Sequence, residues 1–171
     1  VKGRSSVVNL QKDTGVFYCL DVYLSDVPGL SDLPKGTIKQ VRILEGLPHL
    51  RQVPRMQIPE SIPFSGLGSN EYTGTPFAAR RLIGMAPVEE DGSFHIEIPA
   101  HTPVAFQLLD KRNMAVASQL SWSWVLPREK RGCIGCHENR EYSPPNRMMK
   151  ALEQKARQLT LPPERRRIVD F

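Results

Sequence analysis

The chain has 171 residues, 40 % of them apolar and 24 % charged, with a net charge of +5; that length supports one cored domain plus an extension. No apolar run approaches the ~18 residues of a membrane helix, which excludes a membrane span. The run Arg165-Arg166-Arg167 lacks the interleaved aromatics of a nucleic-acid surface, which excludes nucleic acid as a partner. No signal peptide opens the chain, but Val1 in place of a methionine points to a fragment or processed form, so the compartment is not read from the terminus.

Fifteen prolines predict short elements and many loops. The first element is a strand within Gly15–Tyr23, β-branched and aromatic. Turn chemistry at Asp26-Val-Pro-Gly and Leu33-Pro-Lys-Gly leads to a second strand, Thr37–Leu44. Residues 46–80 are dense in Pro, Gly, Ser and Asn and predict a long loop that lines a site or meets a neighbour. Asp91-Gly92 predicts a type I′ hairpin turn, with Phe94, Ile96 and Ile98 alternating behind it. Val104, Phe106 and Leu108 alternate again, Asp110–Asn113 turns the chain, and Met114–Val125 reads as a strand with Leu120, Trp122 and Trp124 on one face. Pro144-Pro145 breaks the chain, Asn146 suits a helix N-cap, and Met149, Leu152, Ala156 and Leu159 predict an amphipathic helix over 147–159.

The fold expected is therefore mainly β: an antiparallel, sandwich-like module over 1–126 with its Pro/Gly-rich loop at 46–80. A metal-attachment turn plus one short amphipathic helix occupy 127–160. Residues 161–171 read as a linker towards a missing downstream domain. Residues 1–126 balance twelve Lys/Arg against twelve Asp/Glu, whereas 127–171 hold eleven against six. A basic rim there suits an acidic redox partner protein, and a solvated basic linker is the plain alternative.

Inside that basic part stands Cys133-Ile-Gly-Cys136-His137, the spacing of c-type haem attachment. On one helical turn, Cys133 and Cys136 reach the two vinyl groups of one porphyrin, and His137 is delivered to the iron. With three cysteines and four histidines in the chain, shuffling yields this pattern in about one sequence per thousand. Tyr142 is near enough in sequence to supply a phenolate to the iron instead. Met149 belongs to the apolar helix stripe and reads as core. His95 reads as an exposed strand residue, His101 as a turn residue, and His49 carries no local signal. Cys19, the odd cysteine, reads as a buried thiol. A rival without haem is a structural zinc site made by Cys19, Cys133, Cys136 and His137; another is a connector β-module with no redox role. A thiol–disulfide oxidoreductase needs a βαβ unit and a thiol of lowered pKa, and antiparallel β precedes the motif instead.

Several stretches together carry a resemblance. Asp21-Val-Tyr23, Pro34–Lys39 with Val41-Arg-Ile43, Val88–His95, Pro99–Val104, Leu109-Asp110, Gly132–Glu138 and Pro144–Arg147 resemble the middle domain of the hydrazine synthase alpha subunit and its multi-domain c-type haem relatives. The resemblance implies a covalent haem c domain, periplasmic or otherwise extracytoplasmic, between a β-propeller and a second cytochrome c domain of one larger protein. The closing Arg167–Phe171 resembles the lead-in to that second haem module. The family pattern also implies a ligand exchange in which Tyr142 takes the iron and His137 turns to a zinc ion. Cys19 is then a candidate zinc ligand, with Asp21 on the same strand face as a further oxygen donor. The module is then either a haem active site of an oxidoreductase or an electron relay.

Overall fold

The computed structural model describes residue 9 and residues 11–46, 80–138, 141, 143 and 148–161. Two four-stranded sheets face each other. The first has the order β7-β1-β4-β8 and the second β3-β2-β5-β6. In chain order the strands are β1 (Thr14–Cys19), β2 (Gln40–Gly46), β3 (Arg80–Pro87), β4 (Phe94–Pro99), β5 (Val104–Leu109), β6 (Ala115–Ser118), β7 (Lys130–Cys133) and β8 (Arg157–Gln158). The pairings β1–β4, β2–β3, β2–β5 and β5–β6 are antiparallel, while the edge strands β7 and β8 run parallel to their neighbours.

Alternation decides which face goes inward, because successive side chains point to opposite sides of a strand. Phe17 and Cys19 on β1 and Phe94, Ile96 and Ile98 on β4 meet Val41 and Ile43 on β2 and Val104 and Leu108 on β5, all buried. The Phe106 ring bridges the two layers. It packs edge-on to Phe17 at 5.2 Å and tilted to Phe94 at 5.9 Å, geometries that suit the aromatic quadrupole. The mainly β, two-sheet architecture is the one the sequence implies.

Three local expectations are corrected. The Asp91-Gly92 turn does not close a hairpin within one sheet, because β3 pairs with β2 whereas β4 pairs with β1. Nor is it type I′: Gly92 alone has a positive φ there, and the Glu89 N–H donates to Ser93 O while the Gly92 N–H donates to Glu89 O. The turn carries the chain from one sheet to the other, and a side chain at 92 would strike Asp21 and Tyr23.

The strand expected over Met114–Val125 stops at Ser118. Gln119 is the cause: its Oε1 accepts from the Phe106 N–H, while its Nε2 donates to the Ser121 and Ser123 hydroxyls. A side chain thus replaces a backbone rung, as such residues do when they compete with the ladder. Pairing resumes only at the Val104–Ser123 bridge. Leu120, 75 % exposed, and Trp124 stay outside, and Val125 enters the core.

The helix expected over 147–159 shrinks to one 3-10 turn, Lys150–Glu153, followed by β8. A short isolated helix is marginal in water, and the free edge of β4 offers backbone partners that a helix does not need. Asp91 Oδ2 accepts from the Lys150 N–H, Ser93 Oγ accepts from the Ala151 N–H, and the Leu159 N–H donates to Glu97 O. Of the expected stripe, Met149 and Leu159 are buried while Leu152 and Ala156 are half-buried, and Ala151, outside the stripe, is buried as well, by a strap rather than a helix. The loop 46–80 has its ends in view: Gly46 and Arg80 are register partners on adjacent strands, and 47–79 lie outside the described residues.

Ile96 is fully buried between the layers. Ile96→Ala is expected to lower the unfolding free energy by about 2–5 kcal/mol, read from the midpoint of urea denaturation.

Candidate functional site

The Cys133–His137 motif begins at the end of an edge strand rather than on a helical turn. Residues 130–133 of β7 pair in parallel with 16–19 of β1, so Tyr18 faces Gly132 and Cys19 faces Cys133. Beyond the strand, the backbone stays laced to the segment after β1. The Leu20 N–H donates to Cys133 O, Asp21 N–H to Ile134 O, Cys136 N–H to Leu24 O and Asp26 N–H to His137 O, at 3.0–3.2 Å. Four bonds over five residues hold the motif against the module without any regular helix.

Two glycines make that approach possible. A side chain at 132 would run into the Tyr18 ring, and one at 135 would strike the Leu24 carbonyl. His137 takes up a left-handed backbone, φ 62°, a conformation that costs a non-glycine residue energy; its carbonyl bond to Asp26 fixes it. The imidazole is left exposed, and it makes no hydrogen bond among the described residues. Arg131 lies over the Trp124 ring at 5.8 Å and pairs with Glu129 at 3.1 Å, so one cation beside the motif is already engaged.

All three thiols gather here. Cys19 is buried in the core, and Cys133 and Cys136 are half-buried and pack against it. Burial raises all three pKa values. For Cys19 the rise is large, with Cys133 adding repulsion. For Cys133, Glu138 adds to the rise and Arg131 opposes it. Cys136 is pushed up to about 11 by burial, then by Cys133 and Glu138. Neutral thiols at pH 7 are the opposite of what thiol–disulfide catalysis needs, and that rival fails on chemistry as well as on fold.

The donor set suits covalent attachment of a haem. Two protonated thiols and an unbonded imidazole stand within five residues of one partly open turn. A haem, when bound, would be held through thioethers from Cys133 and Cys136, a bond that takes up the thiol proton and needs no oxidant, with His137 beside it. The zinc alternatives fit less directly: among the described residues no three of His, Cys, Asp and Glu stand together as a metal-ligating group. Asp21 in particular serves the fold, its Oδ1 accepting from the Tyr23 N–H and its Oδ2 paired with Lys35 at 2.7 Å.

The other sequence candidates separate. Met149 is core, as the stripe implies, and Met148 is exposed. His95 is half-buried rather than exposed, with Nδ1 3.2 Å from Gln154 O. His101 is exposed in a turn, while Tyr142 and His49 lie outside the described residues. Sequence reasoning overlooked Tyr18, Gly132, Leu24 and Gly135 as the support of the motif. The glycine on each side of Cys133-Ile134 was the available signal.

Fold and site together define a two-sheet β-domain with a Cys-x-x-Cys-His turn at one sheet edge. Residues 36–138 match the model of the hydrazine synthase alpha subunit middle domain, and the chain belongs to that family. The matched span ends just after the motif, with Cys19 before it and Tyr142 beyond it. Hydrazine synthase subunit alpha of Kuenenia stuttgartiensis is 32 % identical, over 72 % of this chain and 16 % of the relative. A solved structure of Kuenenia stuttgartiensis hydrazine synthase superposes with a TM-score of 0.65 at 30 % identity, covering 86 % of this chain and 21 % of that one. The chain thus spans about a sixth of the curated relative's length.

The raised thiols bear on stability with a definite sign. A thiol whose folded pKa lies above its unfolded value leaves stability untouched below about pH 8.5 and withdraws it as the unfolded chain ionises first. The haem-free chain is therefore expected to lose stability between pH 9 and about 11. Cys136→Ala should flatten that loss in urea midpoints measured across the range; parallel profiles would contradict it.

Proposed function

We propose that this chain is a covalent haem c domain of a larger extracytoplasmic redox protein of the hydrazine synthase alpha type. The observation that carries the reading is the laced turn, on which Cys133 and Cys136 are half-buried and protonated while His137 stands exposed beside them. Family membership supports it, since the matched span takes in the whole motif. When bound, the haem would supply one-electron chemistry at its iron.

The chain's own residues divide the remaining work. Cys133 and Cys136 would hold the macrocycle, and His137 would be the iron ligand in the simplest arrangement. Gly132 and Gly135 keep the turn close to the module, so its position is set by β1 rather than by the haem. Phe17 and the aromatic core behind Cys19 keep water from one side of the motif. Of the described methionines, Met149 is sealed in the core, while Met85, Met114 and Met148 are exposed. The sixth position, filled by a residue or left to substrate, would separate an electron relay from a haem active site. The propeller, the second cytochrome c domain and an acidic redox partner belong to this proposal as its expected neighbours.

One observation favours a second ligand arrangement. Cys19 faces Cys133 in the β1–β7 register, which puts a third sulfur beside the motif, as a His137–Cys19 zinc ion with Tyr142 on the iron would require. Its protonated, core-facing thiol argues against easy metal loading.

Maturation in a host that attaches haem c, followed by a pyridine haemochrome assay and zinc analysis, tests both. Wild type is expected to carry one covalent haem, and Cys133→Ala/Cys136→Ala none. Covalent haem surviving in the double variant would end the proposal. Zinc lost in Cys19→Ser would decide for the second arrangement, and unchanged zinc would remove Cys19 from it. High-spin ferric iron in the optical and EPR spectra would identify an open site, and a low-spin species a relay.

A further inference from the structure

The strap that replaces the expected helix encloses a cleft with the sandwich, away from the cysteine turn. Its volume is about 670 Å³, and it is walled by the start of β2, the end of β3, His95 on β4 and residues 151–158. That size lies within the usual range for small-molecule sites. The cleft is fixed rather than incidental. The strap is held at one end by Lys150 to Glu90 and Asp91 and by Ala151 to Ser93, at the other by the β8–β4 pairing and the Leu159 bond to Glu97.

Three cations from three places converge on it: Lys39 ahead of β2, Lys155 on the strap and Arg157 on β8. None of the three has a carboxylate within ion-pair distance among the described residues, although Lys39 stands near enough to Glu90 to draw its pKa down. Glu89 is the one acidic residue of the lining, which leaves a surplus of two positive charges. His95 adds a directed group. A carbonyl oxygen only accepts, so Nδ1 donates its proton to Gln154 O, and Nε2 is left to meet a ligand hydroxyl. Among the described residues no Phe, Tyr or Trp lines the cleft, so it lacks the broad stacking surface that a nucleobase or a single nucleic-acid strand uses.

We propose that this cleft binds a small, multiply charged oxyanion, a hydroxylated di- or tricarboxylate or a phosphate of similar size, through Lys39, Lys155 and Arg157 with His95 reading a hydroxyl. Arg157 supplies the planar fork that pairs with two oxygens at once, and the two lysines supply point charges. The site stands apart from the haem reading and does not depend on it.

Calorimetric titration of the whole chain with citrate and, separately, with inorganic pyrophosphate tests the proposal and distinguishes a carboxylate from a phosphate ligand. Wild type is expected to bind at least one of them at millimolar concentration or tighter, with movement of the His95 ring resonances in NMR spectra. Lys155→Gln/Arg157→Gln, both exposed positions, should weaken binding at least about tenfold. Lys39→Gln, on a different element, should weaken it in the same direction. Lys111→Gln, in the Asp110–Asn113 turn and not part of the lining, should leave it unchanged. Binding of neither anion, equal affinity in wild type and the double variant, an equal loss in Lys111→Gln, or binding of polyglutamate alone would each overturn it.

Discussion

Strand β7 depends on the free edge of β1, where residues 16–19 offer backbone partners to residues 130–133. Parallel neighbours need a long connection, and here the chain between the two strands builds the entire second sheet and returns. The cysteine turn is therefore one of the last pieces to find its place in the sequence, yet it sits beside one of the first. Everything notable about the site follows from that pairing: Cys19 next to Cys133, Tyr18 over Gly132, and the backbone of 20–26 receiving that of 133–137.

The core gives the pairing its rigidity. Phe17 and Cys19 point inward from β1 and are covered by the opposite sheet, with Phe106 in contact across the gap. A thiol in such surroundings stays protonated because ionisation would place charge in a poorly solvated space. Cys133 and Cys136 inherit a weaker form of the same effect from their half-buried positions. A neutral, partly shielded pair of thiols beside an exposed imidazole is a poor redox dithiol. It is well suited to a bond that is made once and kept.

Much of this was legible in the sequence, and the misses share a cause. Alternation identified β1, β2, β4 and β5 because each buries one face, and it placed Met149 in the core. It could not say which strand pairs with which, since partner choice rests on backbone bonds between residues far apart. Hence the Asp91-Gly92 turn looked like a hairpin but joins two sheets. Gln119 looked like one more strand residue, although its amide takes over a rung of the ladder. The strap kept the apolar spacing of a helix, but the open edge of β4 won its backbone. At the site, the Cys-x-x-Cys-His spacing was plain, whereas its support by Tyr18 and Leu24 required the β1–β7 register, which no local pattern encodes.

The central claim is that β1 and β7 bring Cys19 and Cys133 side by side. Paired strands lie about 4.8 Å apart, within the separation of α-carbons that a disulfide spans. Mild oxidation of the haem-free Cys136→Ser chain with oxidised glutathione, followed by peptide mass mapping without reduction, reads this directly. The account predicts a Cys19–Cys133 cross-link. Cys19 and Cys133 both capped by glutathione, with no cross-link between them, would contradict it.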